Sequence, residues 1–364
     1  MKNFLILAAL LSLAACNKSG VGDASAGTAG GECLLTARFD APDTKVAGQS
    51  PANEKTIRNV QIFVFRAGDG ADRGVLEMAA SAGFERPLDV TAGSYGGLTL
   101  KCSAGYREVW AVVNDAVDRT AGTDAVRDKA DFLARTHDLA SSSASCLLMV
   151  GHANPEASDP ALLLVEGTMQ VTVPVHRLAA SVVLESVKND FSAAAYQGPD
   201  LFRLEAAYLL NVPGSVDFGE RRLAAGLPAE QWHARMAAES QGPCAAILYD
   251  DLAGELLPYG GVHAPSHTFY AYPNECPPSV EAAFCPRATL LVLEASIRQG
   301  EGWTRYYYPV VLDGGLQANK RYRVNLTVHR PGSQDPNVPV AFNDMTPVIQ
   351  VSDWDDGATY SPEI

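Results

Sequence analysis

After residue 33 the chain is dominated by short runs in which apolar and polar side chains alternate with a period of two. Gly, Pro, Asn and Asp cluster between these runs, the pattern of half-buried strands joined by turns. Residues 33–39 form the first run, ahead of a basic residue, Lys45. In residues 57–65, Val60, Ile62 and Val64 share one face while Phe63 and Phe65 take the other. Apolar residues on both faces place that strand inside a sandwich. Further strands are predicted within 88–100 and at 107–114 and 146–150. Met169, Val171, Val173 and Val175 line one face of the next, where Pro174 demands an edge or a crossing point. The second half repeats the rhythm up to 187 and at 201–211, 268–274, 289–297, 305–312, 322–328 and 347–354, with Tyr322, Val324, Leu326 and Val328 on a core side. Short surface helices are predicted within 116–139 and at 228–238. The fold class is therefore all-β: two antiparallel β-sandwich domains of transthyretin-like, Greek-key type with short surface helices. The expected organisation is a signal at 1–15, a leader at 16–45, sandwiches at 46–173 and 174–340, and a C-terminal segment at 341–364.

The first fifteen residues change the cellular picture. Lys2 is followed by an apolar run at 4–13, the length of an export-signal core and too short for a bilayer of about 30 Å. The run ends Leu13-Ala14-Ala15-Cys16, a lipoprotein box that makes Cys16 the residue to be acylated with palmitate-like chains. Of seven cysteines, six remain after Cys16: Cys33, Cys102, Cys146, Cys244, Cys276 and Cys285. An even number in an exported chain admits disulfides among them in 15 connectivities, with Cys276 and Cys285 near enough to close a short loop.

The 364 residues carry a net charge of −14, which argues against nucleic acid as a partner. Candidate chemistry is sparse. No metalloprotease, nucleophile-elbow or phosphate-loop motif occurs, no Cys-x-x-Cys pair offers a zinc site, and Asp69 to Asp72 lacks calcium-loop spacing. His263 and His267 are four apart, but Pro265 between them breaks the helix a shared metal face needs. His176 and Arg177 have no nucleophile paired with them in sequence and are assigned a structural place near the domain junction. The sequence thus predicts no enzyme, no cofactor and no metal.

In order, these features resemble the Bacteroidales fimbrillins, the type V pilins. The resemblance is carried by the lipobox at Cys16, the first strand before Lys45, and residues 57–65. Residues 101–114, 176–180, 307–310 and 319–328 continue it, and Val351-Ser352-Asp353-Trp354 closes it. It implies a lipoprotein precursor carried to the outer membrane and cell surface, cut by a trypsin-like protease, and polymerised by donor-strand exchange into an adhesive fimbrium. Its partners would be copies of itself or related subunits. The matching cut lies between Lys45 and Val46, with Arg38 as second choice; Lys in place of Arg leaves the protease open. The displaced first strand would point Leu35 and Phe39 inward. The donor would be the C-terminal strand, with Val348, Ile349, Val351 and Trp354. Cys33 divides the expectation: a bond from it to the body suits an uncleaved anchor or accessory subunit, and a free thiol suits exchange. The competing expectation is a monomeric surface lipoprotein that binds glycan or a host protein.

Overall fold

The computed structural model describes residues 31–40, 54, 56–88, 90, 94–278, 286–312, 315–338 and 345–354. The strands of the first half are β1 (Glu32–Asp40), β2 (Val60–Arg66), β3 (Leu76–Ala82), β4 (Ser94–Ser103), β5 (Gly105–Val113), β6 (Thr136–Asp138), β7 (Met149–His152), β8 (Ala161–Leu164), β9 (Gly167–Pro174) and β10 (His176–Arg177). Those of the second half are β11 (Ala180–Asn189), β12 (Phe202–Leu210), β13 (Val212–Pro213), β14 (Ser215–Asp217), β15 (Trp232–His233), β16 (Tyr249–Leu256), β17 (Val262–His263), β18 (Thr268–Ala271), β19 (Leu290–Gln299), β20 (Gly302–Val311), β21 (Lys320–Val328) and β22 (Met345–Asp353).

Two sheets form the first half. One runs β4-β1-β9; the other runs β10-β7-β5-β2-β3, with β8 added to β5. Their facing sides make one core. Leu35, Phe39, Leu100, Val171 and Val173 come from the first sheet; Val60, Ile62, Val64, Val109, Ala111 and Met149 come from the second. The second half is built the same way from β17-β11-β21-β22, with β18 on β11, and from β16-β12-β19-β20. Most pairs are antiparallel. The described exceptions are β1 with β9 and β11 with β21, one in each half.

Strand β2 explains how the halves join. Its Val60, Ile62 and Val64 fill the first core, while Phe63 and Phe65 on its back belong to a second core that runs into the other half. Phe132, on the short helix α1 (Lys129–Ala134), packs against Phe63 at 5.0 Å, Phe65 at 5.6 Å and Phe218 at 5.5 Å between ring centroids. Asp128 caps α1 by accepting from the Asp131 N–H. The β6–β14 pair also ties the halves together.

The alternation read at 169–175 is realised: Val171, Val173 and Val175 are buried, Met169 is half-buried, and Pro174 ends β9, an edge strand. Tyr322, Val324, Leu326 and Val328 are all buried. The helix expected at 228–238 is not formed. Short 3-10 turns flank β15 there, and Ala234 adopts a left-handed backbone (φ 51°) that ends helical continuation. Strands β3 and β8 were not expected, because their small or uniformly apolar residues (Leu76 to Ala82, Ala161 to Leu164) carry no period of two.

Candidate strand-exchange site

The first strand sits inside a sheet, between two neighbours remote in sequence. On one side β1 pairs antiparallel with β4, from Glu32 opposite Ser103 to Asp40 opposite Ser94. On the other it pairs parallel with β9, from Cys33 beside Gly167 to Asp40 beside Pro174. Neither contact is a hairpin. The backbone runs from β1 to the body through the segment after Asp40, so with Cys33 reduced one cut there leaves the strand a separate peptide in its groove.

The inward face of β1 is Cys33, Leu35, Ala37 and Phe39, all fully buried. Leu35 and Phe39 alone are worth about 3–6 kcal/mol of apolar burial. Phe39 also lies 6.2 Å from the Tyr95 ring. The outward face is polar apart from a half-buried Leu34: Thr36 Oγ1 lies 3.1 Å from Thr99 Oγ1, Glu32 pairs with Lys101 at 3.1 Å, and Arg38 is exposed. An emptied groove would leave backbone donors and acceptors unpaired along both β4 and β9, each costing about 1–3 kcal/mol where buried.

Gly97 lets β4 follow this strand. The β1–β4 register shifts between Ala37 and Phe39, and Gly97 opposite the shift has φ +127°. A Cβ there would stand 2.9 Å from the Ala37 carbonyl oxygen and 2.9 Å from Thr36 Cγ2. Only glycine meets both demands.

The C-terminal strand lies in the other half. Strand β22 is the edge of its sheet, paired antiparallel with β21 from Met345 opposite Val328 to Asp353 opposite Lys320. Val348 and Val351 are exposed, Ile349 is half-buried, and Trp354 is fully buried. Pro347 lacks an N–H, which an edge strand tolerates.

Trp354 is held by a buried ionic node. Its Nε1–H donates to Glu54 Oε2 at 2.9 Å, and Arg321 Nη2 donates to the same oxygen at 2.9 Å. Tyr270 Oη donates to Glu54 Oε1 at 2.7 Å. Burial, with the Glu54 carboxylate second, pushes the Tyr270 phenol well above its usual range and keeps it a donor. Arg177 donates to the Glu54 carbonyl at 3.2 Å and lies 4.8 Å from the Trp354 ring centroid; Tyr270 stacks on that ring at 5.8 Å. The node joins five stretches: the segment entering the first sandwich, the junction at β10, β18, β21 and the end of β22. Arg177 is thus a buried structural residue at the junction between the two sets of sheets. Sequence reasoning missed Glu54, whose flanks carry no strand periodicity, and had no signal pairing it with Arg321.

Cys16, Lys45, Val46 and Cys285 lie outside the described residues. Cys33 and Cys102 are buried and directly opposite one another on β1 and β4, Cys146 is half-buried, and Cys244 and Cys276 are buried. Cys33, Cys102, Cys146 and Cys244 carry free thiols in the structure. Among the described residues no cluster of His, Cys, Asp and Glu could hold a metal ion, and no helix is long and apolar enough to cross a membrane. A polar cleft lies where β6 meets β14, lined by Asp115, Arg119, His137, Asp138 and His233. Its His137 is already bonded to Tyr272 Oη at 2.8 Å.

No protein-family model matches the chain, and no curated protein does. Solved structures do. A candidate cell adhesion protein from Parabacteroides distasonis superposes with a TM-score of 0.64 at 16% identity, over 89% of this chain and 99% of that one. A fimbrilin (FimA) from Porphyromonas gingivalis gives 0.57 at 15% identity, over 88% and 97%. The C-terminally truncated tip fimbrial protein of Porphyromonas gingivalis gives 0.51 at 11% identity, over 89% and 100%. The chain therefore shares the fold of fimbrial and cell-adhesion proteins of the Bacteroidales.

Proposed function

We propose that this chain is a structural subunit of an adhesive surface fimbria. In this reading it is exported as a lipoprotein through Cys16, anchored in the outer membrane, and matured between Lys45 and Val46 by a trypsin-like protease. It polymerises when a neighbour's C-terminal segment takes the place of β1. The division into sandwiches at 46–173 and 174–340 belongs to the same reading; sheet membership changes after β10, between Arg177 and Ala180, a few residues beyond that boundary. One observation carries the proposal: a strand with a fully buried inward face lies between two non-sequential neighbours, and its backbone reaches the body through the segment that contains Lys45.

Arg38 is the weaker cleavage point, because its backbone is engaged on β1 while a protease needs an extended, accessible chain. On the donor side, a proline placed between two strands leaves a carbonyl unpaired. The donated stretch therefore begins after Pro347, with Val348, Ile349, Val351 and Trp354. In an extended strand Ile349 and Val351 share one face; Ile349 is half-buried and Val351 exposed at home, and two apolar side chains moved into the groove gain at most about 3–6 kcal/mol together. Release must first break the Glu54 node.

The test is cleavage of the purified precursor with trypsin under reducing conditions. SDS-resistant ladders support strand exchange. A persistent monomer favours the competing reading, a monomeric surface lipoprotein that binds glycan or protein.

A further inference from the structure

Cys33 and Cys102 are Cα partners in the regular part of the β1–β4 ladder, flanked by the Glu32–Ser103 and Leu34–Lys101 pairs. Both side chains point into the same sandwich core, Cys33 fully buried and Cys102 4% exposed. Residues directly opposite in an antiparallel pair have Cα atoms about 4.5–5.5 Å apart. That range lies within the window of about 4.4–6.8 Å that a disulfide spans. The geometry points to a disulfide between Cys33 and Cys102 that fastens the first strand to the body and keeps it in its groove after the chain is cut beyond Asp40.

The bond would form before the strand is fully seated. Burial pushes the Cys33 thiol up, and burial followed by the Glu77 carboxylate and Cys33 pushes Cys102 up to about 12. The seated thiols are therefore poor nucleophiles. Strand β1 docks on partners far along the chain, so its cysteine is exposed until late in folding. The oxidant is the disulfide of an exported dithiol–disulfide oxidoreductase. The Cys33 thiolate attacks one sulfur of that disulfide, giving a mixed disulfide and a thiolate on the oxidoreductase. The Cys102 thiolate then attacks Cys33 Sγ and expels the oxidoreductase sulfur bonded to it as a thiolate. The two cysteines lose two protons and two electrons, and the oxidoreductase leaves as a dithiol. The product is buried on both sides and closed to reductants while the strand stays seated.

The consequence rests on the strand-exchange reading: an oxidised subunit cannot surrender its first strand and so occupies a terminal or anchoring place, whereas a reduced one can be extended. The experiment uses the full-length precursor exported by its host, alkylated and digested with trypsin without reductant. A peptide ending at Arg38 that carries Cys33 should be joined to the peptide 102–107, and the pair should separate on reduction. Finding both cysteines alkylated, or Cys33 joined to another cysteine, overturns the proposal. Limited trypsin treatment of folded protein gives the second readout. On a denaturing, non-reducing gel the N-terminal fragment should stay attached in the native chain and be lost in Cys102→Ser; loss from both overturns the tether. If Cys102→Ser releases the fragment yet never multimerises, strand exchange fails while the disulfide stands.

Discussion

Replacing Trp354 with Phe tests whether the Glu54 node holds the C-terminal strand at home. The substitution keeps an aromatic ring against Tyr270 and removes the Nε1–H that donates to Glu54 Oε2 at 2.9 Å, along with part of the indole over which Arg177 and Arg321 lie. Hydrogen bonds to charged acceptors are worth about 1.5–3 kcal/mol net. Glu54 keeps Arg321 and Tyr270, so no buried charge is stranded; the lost hydrogen bond sets the minimum cost and the smaller ring adds to it. If it falls on local opening of β22, the open population rises at least about 10- to 150-fold. Hydrogen exchange on the precursor reads this directly: amides of β22 bonded to β21 should lose that much protection while those of β2 and β5 stay closer to native. Multimer formation after cleavage should also quicken. Unchanged protection in β22, or equal loss in β2 and β5, would refute a local latch. Glu54→Ala should be far worse, about 3–5 kcal/mol, because it leaves Arg321 buried beside Arg177 without its carboxylate.

Other outcomes follow from the same geometry. Phe39→Ala should destabilise the first sandwich by about 3–5 kcal/mol, measured by guanidinium unfolding, and should speed loss of the cleaved strand under reducing conditions; a loss under 1 kcal/mol would mean the Phe39 pocket is not built for it. Gly97→Val should cost at least about 1–3 kcal/mol through backbone strain, and should raise exchange of β1 amides above that of the second half. Acidification from pH 7.5 to 5.5 should lower the unfolding midpoint. Burial holds His137 and His152 below the usual histidine range. Below about pH 6.5 the unfolded chain therefore binds protons that the native one does not. His137→Gln should flatten that dependence; a midpoint that rises on acidification would contradict the sign.

The strands legible in the sequence were those with one clean face. Val60, Ile62 and Val64 against Phe63 and Phe65 is the clearest case, and both faces proved buried because β2 lies between two cores. Residues 169–175 and 322–328 were read for the same reason. Strand β3 was hidden by its alanines and β8 by unbroken apolar residues, where period-two contrast vanishes. The interior place of β1 was not legible: a short half-buried run looks alike at a sheet edge and between two neighbours, and its partners lie far along the chain. The opposition of Cys33 to Cys102 depends on that same register. The Glu54 node had no local sign at all, because its members come from five separate stretches and are joined only by the fold.

The most direct test of strand exchange is to follow the first strand through maturation. Full-length precursor, cleaved with trypsin under reducing conditions, should yield an N-terminus at Val46 and SDS-resistant multimers from which the 33–45 peptide is absent. A stable monomer that keeps residues 33–45 in place, with no multimers at any time, would contradict it.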